Sequence, residues 1–228
     1  DPAKQAALLA GLRASDRVKP SVKEKADDEL LDHYLLAQGA LLTHLGVLCM
    51  GRQIDRARLG TAPVIQFIKR DAHENKVNKL TWDDHTLSPM ELVDAVWRDV
   101  PDFREFYEVA DGLFRTQVPA FDERVIRELL INALVHRPYT QRGDLYLNLH
   151  VARLEVVNPG LLPLGVTPDN VLHASVRRNP HLARLCHDLK LMESEGSGFD
   201  AIYDVLLSQG RPAPVVDEGP DWVRVTLA

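Results

Sequence analysis

The sequence has few cysteines and no long apolar run. Its 228 residues contain two cysteines, Cys49 and Cys186, which lie far apart and have no CxxC spacing. So few cysteines are typical of a reducing compartment, and they leave open both a chance pair and two free thiols. No apolar run approaches the roughly 20 residues that a helix needs to cross a bilayer, so we expect no membrane partner. The first residues show neither an initiator methionine nor a signal-peptide pattern, so we expect a fragment of a longer, cytoplasmic protein.

Several catalytic motifs are also missing. The nine histidines include no HExxH and no paired ligand spacing, so we expect no zinc site, and there is neither a Walker A motif nor a nucleophile elbow. The net charge of −6 repels nucleic acid, so any DNA contact would need a local basic patch. With 45% hydrophobic and 26% charged residues, the composition is ordinary for one large globular domain or two modest ones.

Residues 121–136 carry the strongest pattern in the chain. Their spacing predicts a helix that stops just after His136, because Pro138 pushes the preceding residue out of helical geometry. From residue 129 to 135 the only polar residue is Asn132, so we expect a mostly buried helix whose amide side chain has partners. An isolated Asn132 would more often cap a neighbouring loop from within the core.

Glu128, Asn132 and His136 follow one another at i, i+4 steps, so they lie along one narrow strip of this helix. Keeping a carboxylate, an amide and an imidazole on an apolar helix costs free energy that packing alone does not return. We therefore interpret the strip as part of a site, with Glu128 and Asn132 as its active groups and His136 as a structural residue at the helix end.

The rest of the chain divides near Val118. The patterns predict helices over residues 3–13, 25–36, 88–114, 180–189 and 199–207, and strands over residues 63–69, 77–82, 145–149, 154–157 and 222–227. We expect three parts: a smaller α+β segment at 1–82, a helical linker at 83–118 and the main domain at 119–228. The expected fold class is α/β, a two-layer sandwich of a mixed sheet under helices.

The order of elements in residues 119–228 resembles the GHKL (Bergerat) ATP-binding fold of gyrase, MutL and histidine kinases. A helix bearing Glu-x-x-x-Asn is followed by a hairpin, a strand ending in Asn-Pro-Gly and a Gly-rich helix start. The resemblance implies that Glu128 is the general base that polarises water and that Asn132 binds the Mg²⁺ of ATP. It implies adenine recognition by Asn158 and Gly160. Phosphate binding is implied for Gly196, Ser197 and Gly198.

A closer resemblance is to the RecG-like, GHKL-related domain of bacterial transcriptional regulators. It is carried by RELLINALVHRPY at 127–139, LEVVNPGLLP at 154–163, RRNPHLARL at 177–185 and ESEGSGF at 193–199. In addition, ELLDHYLLAQGALLTHLGVLCMG at 29–51 resembles the closing part of a Schlafen/AlbA-type DNA-binding domain. Together the two resemblances imply a nucleotide-sensing module that is coupled to DNA binding in the full-length protein.

Elementary chemistry supports part of this assignment. Glycines at a helix start let phosphate approach unpaired N–H groups, and Arg177 and Arg178 would add positive charge. Mg²⁺ prefers hard oxygen ligands and keeps several waters, so the amide oxygen of Asn132 together with phosphates would suffice. One departure is Asn158, which stands where the superfamily usually has an aspartate. Its amide oxygen accepts the same hydrogen bond from adenine more weakly.

Two other functions stay open. Asn158 and the sparse glycines also fit a degenerate ATPase fold that serves as a homodimerisation or scaffold module without a ligand. DNA binding by the fragment itself is disfavoured by its negative charge. Nucleotide sensing and the scaffold role differ in one structural respect. A nucleotide sensor requires that Glu128, Asn132 and Gly198 line one open cavity, whereas a scaffold is favoured if the protein's own side chains fill that cavity.

Overall fold

The computed structural model describes residues 1–111, 114–171, 174, 176–192 and 197–228. The first part of the chain forms short helices and one small hairpin: α1 (Pro2–Ala14), α2 (Pro20–Lys23), α3 (Asp27–His33), β1 (Ala37–Gln38), β2 (Leu41–Leu42), α4 (His44–Met50) and α5 (Gln53–Leu59). The helix expected over residues 25–36 is shorter than predicted. It ends at His33, and Leu35 takes a positive φ of 54°, which is incompatible with a continuing helix.

The remaining elements build a mixed sheet and the helices that cover it. They are β3 (Ile65–Arg70), β4 (Lys76–Trp82), α6 (Pro89–Asp99), β5 (Phe106–Asp111), β6 (Phe114–Pro119), α7 (Glu123–His136), β7 (Leu145–Leu149), β8 (Leu154–Pro159), α8 (Pro180–Asp188), α9 (Ser197–Ser208), β9 (Val215–Glu218) and β10 (Trp222–Leu227). In the described part of the chain, the main sheet has the strand order β4-β3-β7-β8-β10-β9. Strands β3 and β7 are parallel, and the other neighbours are antiparallel.

The sheet and the helices form two layers around one core. The β3–β7 register places Ile65 opposite Leu145 and Phe67 opposite Leu147, and all four side chains are buried. The apolar side chains of α7 belong to the same core, and α7 packs against α6, α8 and α9. Burial of this apolar surface is the main force that holds the layers together. The α/β fold expected from the sequence is confirmed.

The helix predicted over residues 88–114 is wrong in its second half. Helix α6 begins as expected, with the Ser88 side chain accepting from the Glu91 N–H, but it ends at Asp99. Pro101 follows two residues later and pushes Val100, the residue before it, out of helical geometry. After a short 3₁₀ turn the chain forms the antiparallel hairpin β5–β6 instead. The linker expected at 83–118 is therefore helical only in its first part.

The main sheet also crosses the predicted boundaries. Strands β3 and β4 come from the segment expected at 1–82, yet β3 pairs along its length with β7 of the segment expected at 119–228. The division into three parts stays a prediction about sequence units. In the folded chain, the first of these units supplies two strands to the sheet of the last.

The two cysteines are free thiols in the core. Cys49 lies on α4 and Cys186 on α8, and both are buried. Burial raises the pKa of each thiol, that of Cys186 to about 12, so both stay protonated at neutral pH. Among the described residues, no helix is long and apolar enough to cross a membrane.

Candidate functional site

Helix α7 supplies the polar strip expected from the sequence. The Asp122 side chain caps the helix by accepting from the Arg124 N–H at 2.8 Å, and the helix ends at His136, two residues before Pro138. The interior of α7 is buried, whereas Asn132 and His136 are only partly so. Glu128 is 8% exposed. The predicted helix and its burial are thus confirmed.

One cavity of about 160 Å³ brings most of the predicted site residues together. Its polar lining comes from Glu128, Asn132, His136, Asn158 and Arg177. Gly198 of α9 closes one side. The apolar lining comes from every surrounding element, and includes Leu129, Val156, Val166, Phe199, Val223 and Val225. An apolar cleft with a few convergent polar groups is the usual form of a small-molecule site.

At one end of the cavity, Glu128 and Asn132 meet the start of α9. The Asn132 amide nitrogen donates to Glu128 Oε1 at 3.1 Å. Because a carboxylate only accepts, this contact leaves the Asn132 amide oxygen as the atom able to bind a cation. A Cβ placed on Gly198 would lie 1.9 Å from Glu128 Oε1, so only glycine fits here. The partial positive charge at the start of α9 stabilises the buried carboxylate. We call this the Gly198 end.

At the other end, Asn158 is held in one orientation. Its amide nitrogen donates to the Ala133 carbonyl oxygen of α7 at 3.0 Å. Because a carbonyl only accepts, the nitrogen must face Ala133 and the oxygen must face away from it. That oxygen, Oδ1, is buried and takes no hydrogen bond within the described part of the chain. A buried acceptor without a donor costs about 1–3 kcal/mol, so it suits a ligand that donates. We call this the Asn158 end.

Positive charge is concentrated near His136. Burial, together with the guanidinium groups of Arg178 and Arg177, lowers the pKa of His136 to about 4. Arg177 lines the cavity. Arg178 lies outside the lining and donates to the Leu161 carbonyl oxygen. The two arginines therefore act on the same end of α7 but hold different places.

The remaining predicted residues lie elsewhere or outside the description. Gly160 has a φ of 88°, its N–H donates to the Asp221 carbonyl at 2.7 Å, and a Cβ would lie 2.7 Å from Pro138. It makes the turn after β8 and does not line the cavity. Gly196 lies outside the described residues. Ser197 begins α9, but its side chain is not described.

Two residues that support the site were not expected from the sequence. Asn179 donates through its amide nitrogen to the carbonyls of Val135 and Arg137, both at 2.7 Å, and so closes the end of α7. Arg137 is fully buried, donates to the carbonyls of Thr61 and Gly143, and lies over the Tyr139 ring. Only the Asn-Pro pair at 179–180 carried a local signal, and it indicated the start of α8.

The donor set limits how a metal would bind. Among the residues that the structure describes, no group of three His, Cys, Asp or Glu side chains is placed to hold an ion. A cation here would depend on the Asn132 amide oxygen and on oxygens brought by a ligand. That arrangement suits Mg²⁺, which commonly keeps several waters and binds through substrate phosphates.

Comparison with known proteins supports the RecG-like resemblance. Residues 145–227 match the family described as "Putative ATP-dependent DNA helicase recG C-terminal". The crystal structure of the DIP2311 protein from Corynebacterium diphtheriae matches with a TM-score of 0.77 and 25% sequence identity, over 97% of this chain and 44% of that chain. The chain thus spans less than half the length of this relative. A search of curated proteins gave no match. Residues 145–227 are therefore similar to the RecG C-terminal domain, whose family description names an ATP-dependent enzyme.

Proposed function

We propose that the cavity binds ATP together with Mg²⁺ and that the chain is the nucleotide-sensing part of a bacterial transcriptional regulator. The observation that carries the proposal is the buried Oδ1 of Asn158, which has no donor within the described residues. An adenine base would supply that donor through its exocyclic amino group. The apolar side chains around Asn158 would enclose the base, as apolar walls do in most cofactor sites.

The Gly198 end fits the phosphates. The first turn of α9 has N–H groups without helical partners. The lack of a side chain at Gly198 makes room that the Glu128 carboxylate occupies, so phosphates would have to displace this carboxylate. Asn132 would contribute its amide oxygen to Mg²⁺. When bound, this ion would neutralise the charge that develops on the phosphate oxygens.

Glu128 is the candidate general base. Its carboxylate lies at the Gly198 end, beside the amide of Asn132. In this position it would accept a proton from water that attacks the terminal phosphate. Because the carboxylate is buried, replacement by alanine would also remove packing, so glutamine is the cleaner substitution.

Calorimetry with ATP, or with a non-hydrolysable analogue, and Mg²⁺ tests nucleotide binding directly. A ligand at 100 times its Kd should raise the free energy of unfolding by about 2.7 kcal/mol, which a thermal shift detects. Arg115→Ala, on the exposed hairpin, is a matched control that should bind like the wild type. Absence of both heat and stabilisation at millimolar ATP would refute the proposal.

Two substitutions separate the roles at the Gly198 end. Glu128→Gln should abolish turnover and leave ATP binding largely intact, because the carboxylate acts on water. Asn132→Ala should weaken binding in the presence of Mg²⁺ and have little effect without it, because it removes a ligand of the ion. Circular dichroism would first establish that both variants fold. Equal loss of binding in both would contradict these assignments.

A second candidate is a scaffold or homodimerisation module without a ligand. One observation favours it: the protein's own Glu128 carboxylate already lies against the start of α9. The same calorimetry decides between the two functions, because a scaffold binds no nucleotide. The size of the particle in solution, measured by light scattering, would then show whether the module dimerises.

Coupling to DNA is the part of the proposal that depends on the full-length protein. It is supported by the description of the matching family, which names a DNA helicase, and by the Schlafen/AlbA-like segment at 29–51. The net charge of −6 means that this chain contributes little attraction to DNA itself. A gel shift with the full-length protein, which we expect to be cytoplasmic, with and without ATP, tests the coupling. Identical shifts in both conditions would argue against it.

A further inference from the structure

His136 and Asn158 line the same cavity. The Asn158 amide is anchored on the Ala133 carbonyl, and His136 follows Ala133 by three residues, so both lie on the same face of α7. Glu128 precedes His136 by eight residues, which corresponds to about 12 Å along the helix axis. His136 therefore belongs to the Asn158 end of the cavity and not to the Gly198 end.

The two ring nitrogens of His136 are available for hydrogen bonds to a ligand. Within the described part of the chain, neither ring nitrogen has a hydrogen-bond partner, although the ring is partly buried and lines the cavity. With a pKa lowered to about 4 by burial and by Arg178 and Arg177, the ring is neutral at pH 7. A neutral imidazole offers one N–H donor and one acceptor nitrogen.

We propose that His136 is a second base-reading residue, which donates its ring N–H to the purine ring nitrogen next to the amino group that Asn158 Oδ1 accepts. This inference rests on the proposed function. Adenine presents a donor, its amino group, beside an acceptor, its ring nitrogen. Asn158 and His136 supply the complementary pair from the lining of one cavity, an acceptor and a donor. A purine that carries a carbonyl in place of the amino group would set two acceptors against each other at Asn158.

The pairing explains features that packing alone does not. The neighbours of His136 in the cavity lining include Val135 and Val176, whose apolar side chains offer its ring nitrogens no hydrogen bond. One ligand edge would engage both the His136 ring and the unsatisfied Asn158 Oδ1.

The test is a cycle in which both the ligand and the protein are changed. Calorimetry with Mg²⁺ measures the Kd of ATP, 7-deaza-ATP and 1-deaza-ATP, each analogue lacking one of the two ring nitrogens that flank the amino group. The proteins are the wild type, His136→Phe, which keeps a ring without a donor, and His136→Gln, which restores a donor. His181→Phe, at an exposed position of α8 outside the cavity lining, is the matched control.

We expect the wild type to bind one of the two analogues about five- to tenfold more weakly than ATP, as the loss of one hydrogen bond predicts. His136→Phe should bind ATP more weakly by the same factor and should no longer distinguish that analogue. His136→Gln should recover part of the discrimination, and His181→Phe should behave like the wild type. Recovery by glutamine would not follow from a purely structural role.

Two results would overturn the inference while the proposed function survives. In the first, the wild type binds ATP and both analogues equally. In the second, His136→Phe binds ATP normally or keeps the full discrimination. If the wild type binds no ATP at all, the proposed function fails and the inference fails with it, so the two failures are distinguishable.

Discussion

The two ends of the cavity differ in how their polar groups are satisfied. At the Gly198 end, the Glu128 carboxylate accepts from Asn132 and lies against the start of α9, so the protein supplies its own partners. At the Asn158 end, a buried acceptor and the His136 ring have no partner within the described residues. A ligand therefore gains most free energy at the Asn158 end, whereas at the Gly198 end its phosphates must compete with a carboxylate already in place.

Of the substitutions that test the difference between the two ends, Gly198→Ala should lower the free energy of unfolding most. The added Cβ would lie 1.9 Å from Glu128 Oε1, so the carboxylate or α9 must move. We expect a loss of about 3 kcal/mol in the free energy of unfolding, the upper end of the usual cost of overpacking. Urea denaturation measures it.

A double variant provides the control for this substitution. Glu128→Ala removes the atom that the new Cβ would meet, so adding Gly198→Ala to it should cost far less than in the wild type. Strictly additive losses would show that the close contact does not set the cost, and would weaken the view that this end is filled by the protein itself.

The second effect concerns pH and the Asn158 end. His136 titrates near its ordinary value of 6.5 in the unfolded chain, but its pKa falls to about 4 in the fold. Between these values the unfolded chain holds more protons, so the free energy of unfolding should decrease as pH falls from 6.5 towards 4. The share due to His136 is about 2–3 kcal/mol.

Comparing wild type with His136→Phe isolates that share, because the variant has no group to titrate at this position. Urea denaturation at intervals from pH 7.5 to 4.5 should show a steeper decline for the wild type than for His136→Phe. Two parallel profiles would mean that the burial of His136 does not disfavour its charged form.

Local sequence patterns were sufficient for the elements that carry the site. Helix α7, strands β7, β8 and β10, and helices α8 and α9 all follow from apolar periodicity and from proline and glycine positions. The i, i+4 strip also indicated correctly that Glu128 and Asn132 share a face, because helical geometry alone fixes that relation. These predictions needed no knowledge of distant contacts.

The errors concern relations between distant segments. The parallel pairing of β3 with β7 joins residues about 80 positions apart, and no local pattern records it. Strand β9 and the hairpin β5–β6 were missed, and the hairpin was assigned to a helix that continued through Pro101. Likewise the spacing of Asn158 did not show that its nitrogen is held by Ala133, which is what leaves the oxygen unsatisfied.

The third effect concerns Asn158, the residue proposed to bind the adenine amino group. Asn158→Asp replaces the amide nitrogen by an oxygen that cannot donate to the Ala133 carbonyl while ionised, so two acceptors face each other. We expect a loss of about 2 kcal/mol in the free energy of unfolding. ATP affinity should be kept or increased, because a charged acceptor is the stronger partner for an amino group. Thermal unfolding and calorimetry measure the two effects, and a large loss of affinity in a folded variant would count against base reading at this position.

The smallest effect should come from Asn179→Ala, which is the matched partner of Asn158→Ala. Both asparagines donate to carbonyls of α7, Asn158 to Ala133 and Asn179 to Val135 and Arg137, but only Asn158 lines the cavity. Asn179→Ala should lower the free energy of unfolding by about 1 kcal/mol and leave the Kd of ATP unchanged, since it only uncaps a helix end. Asn158→Ala should cost less stability, because it removes an unsatisfied oxygen together with a hydrogen bond, and should weaken ATP binding several-fold. If both variants changed ATP affinity alike, the effect at Asn158 would be transmitted through α7, and the contrast between the two ends of the cavity would lose its chemical basis.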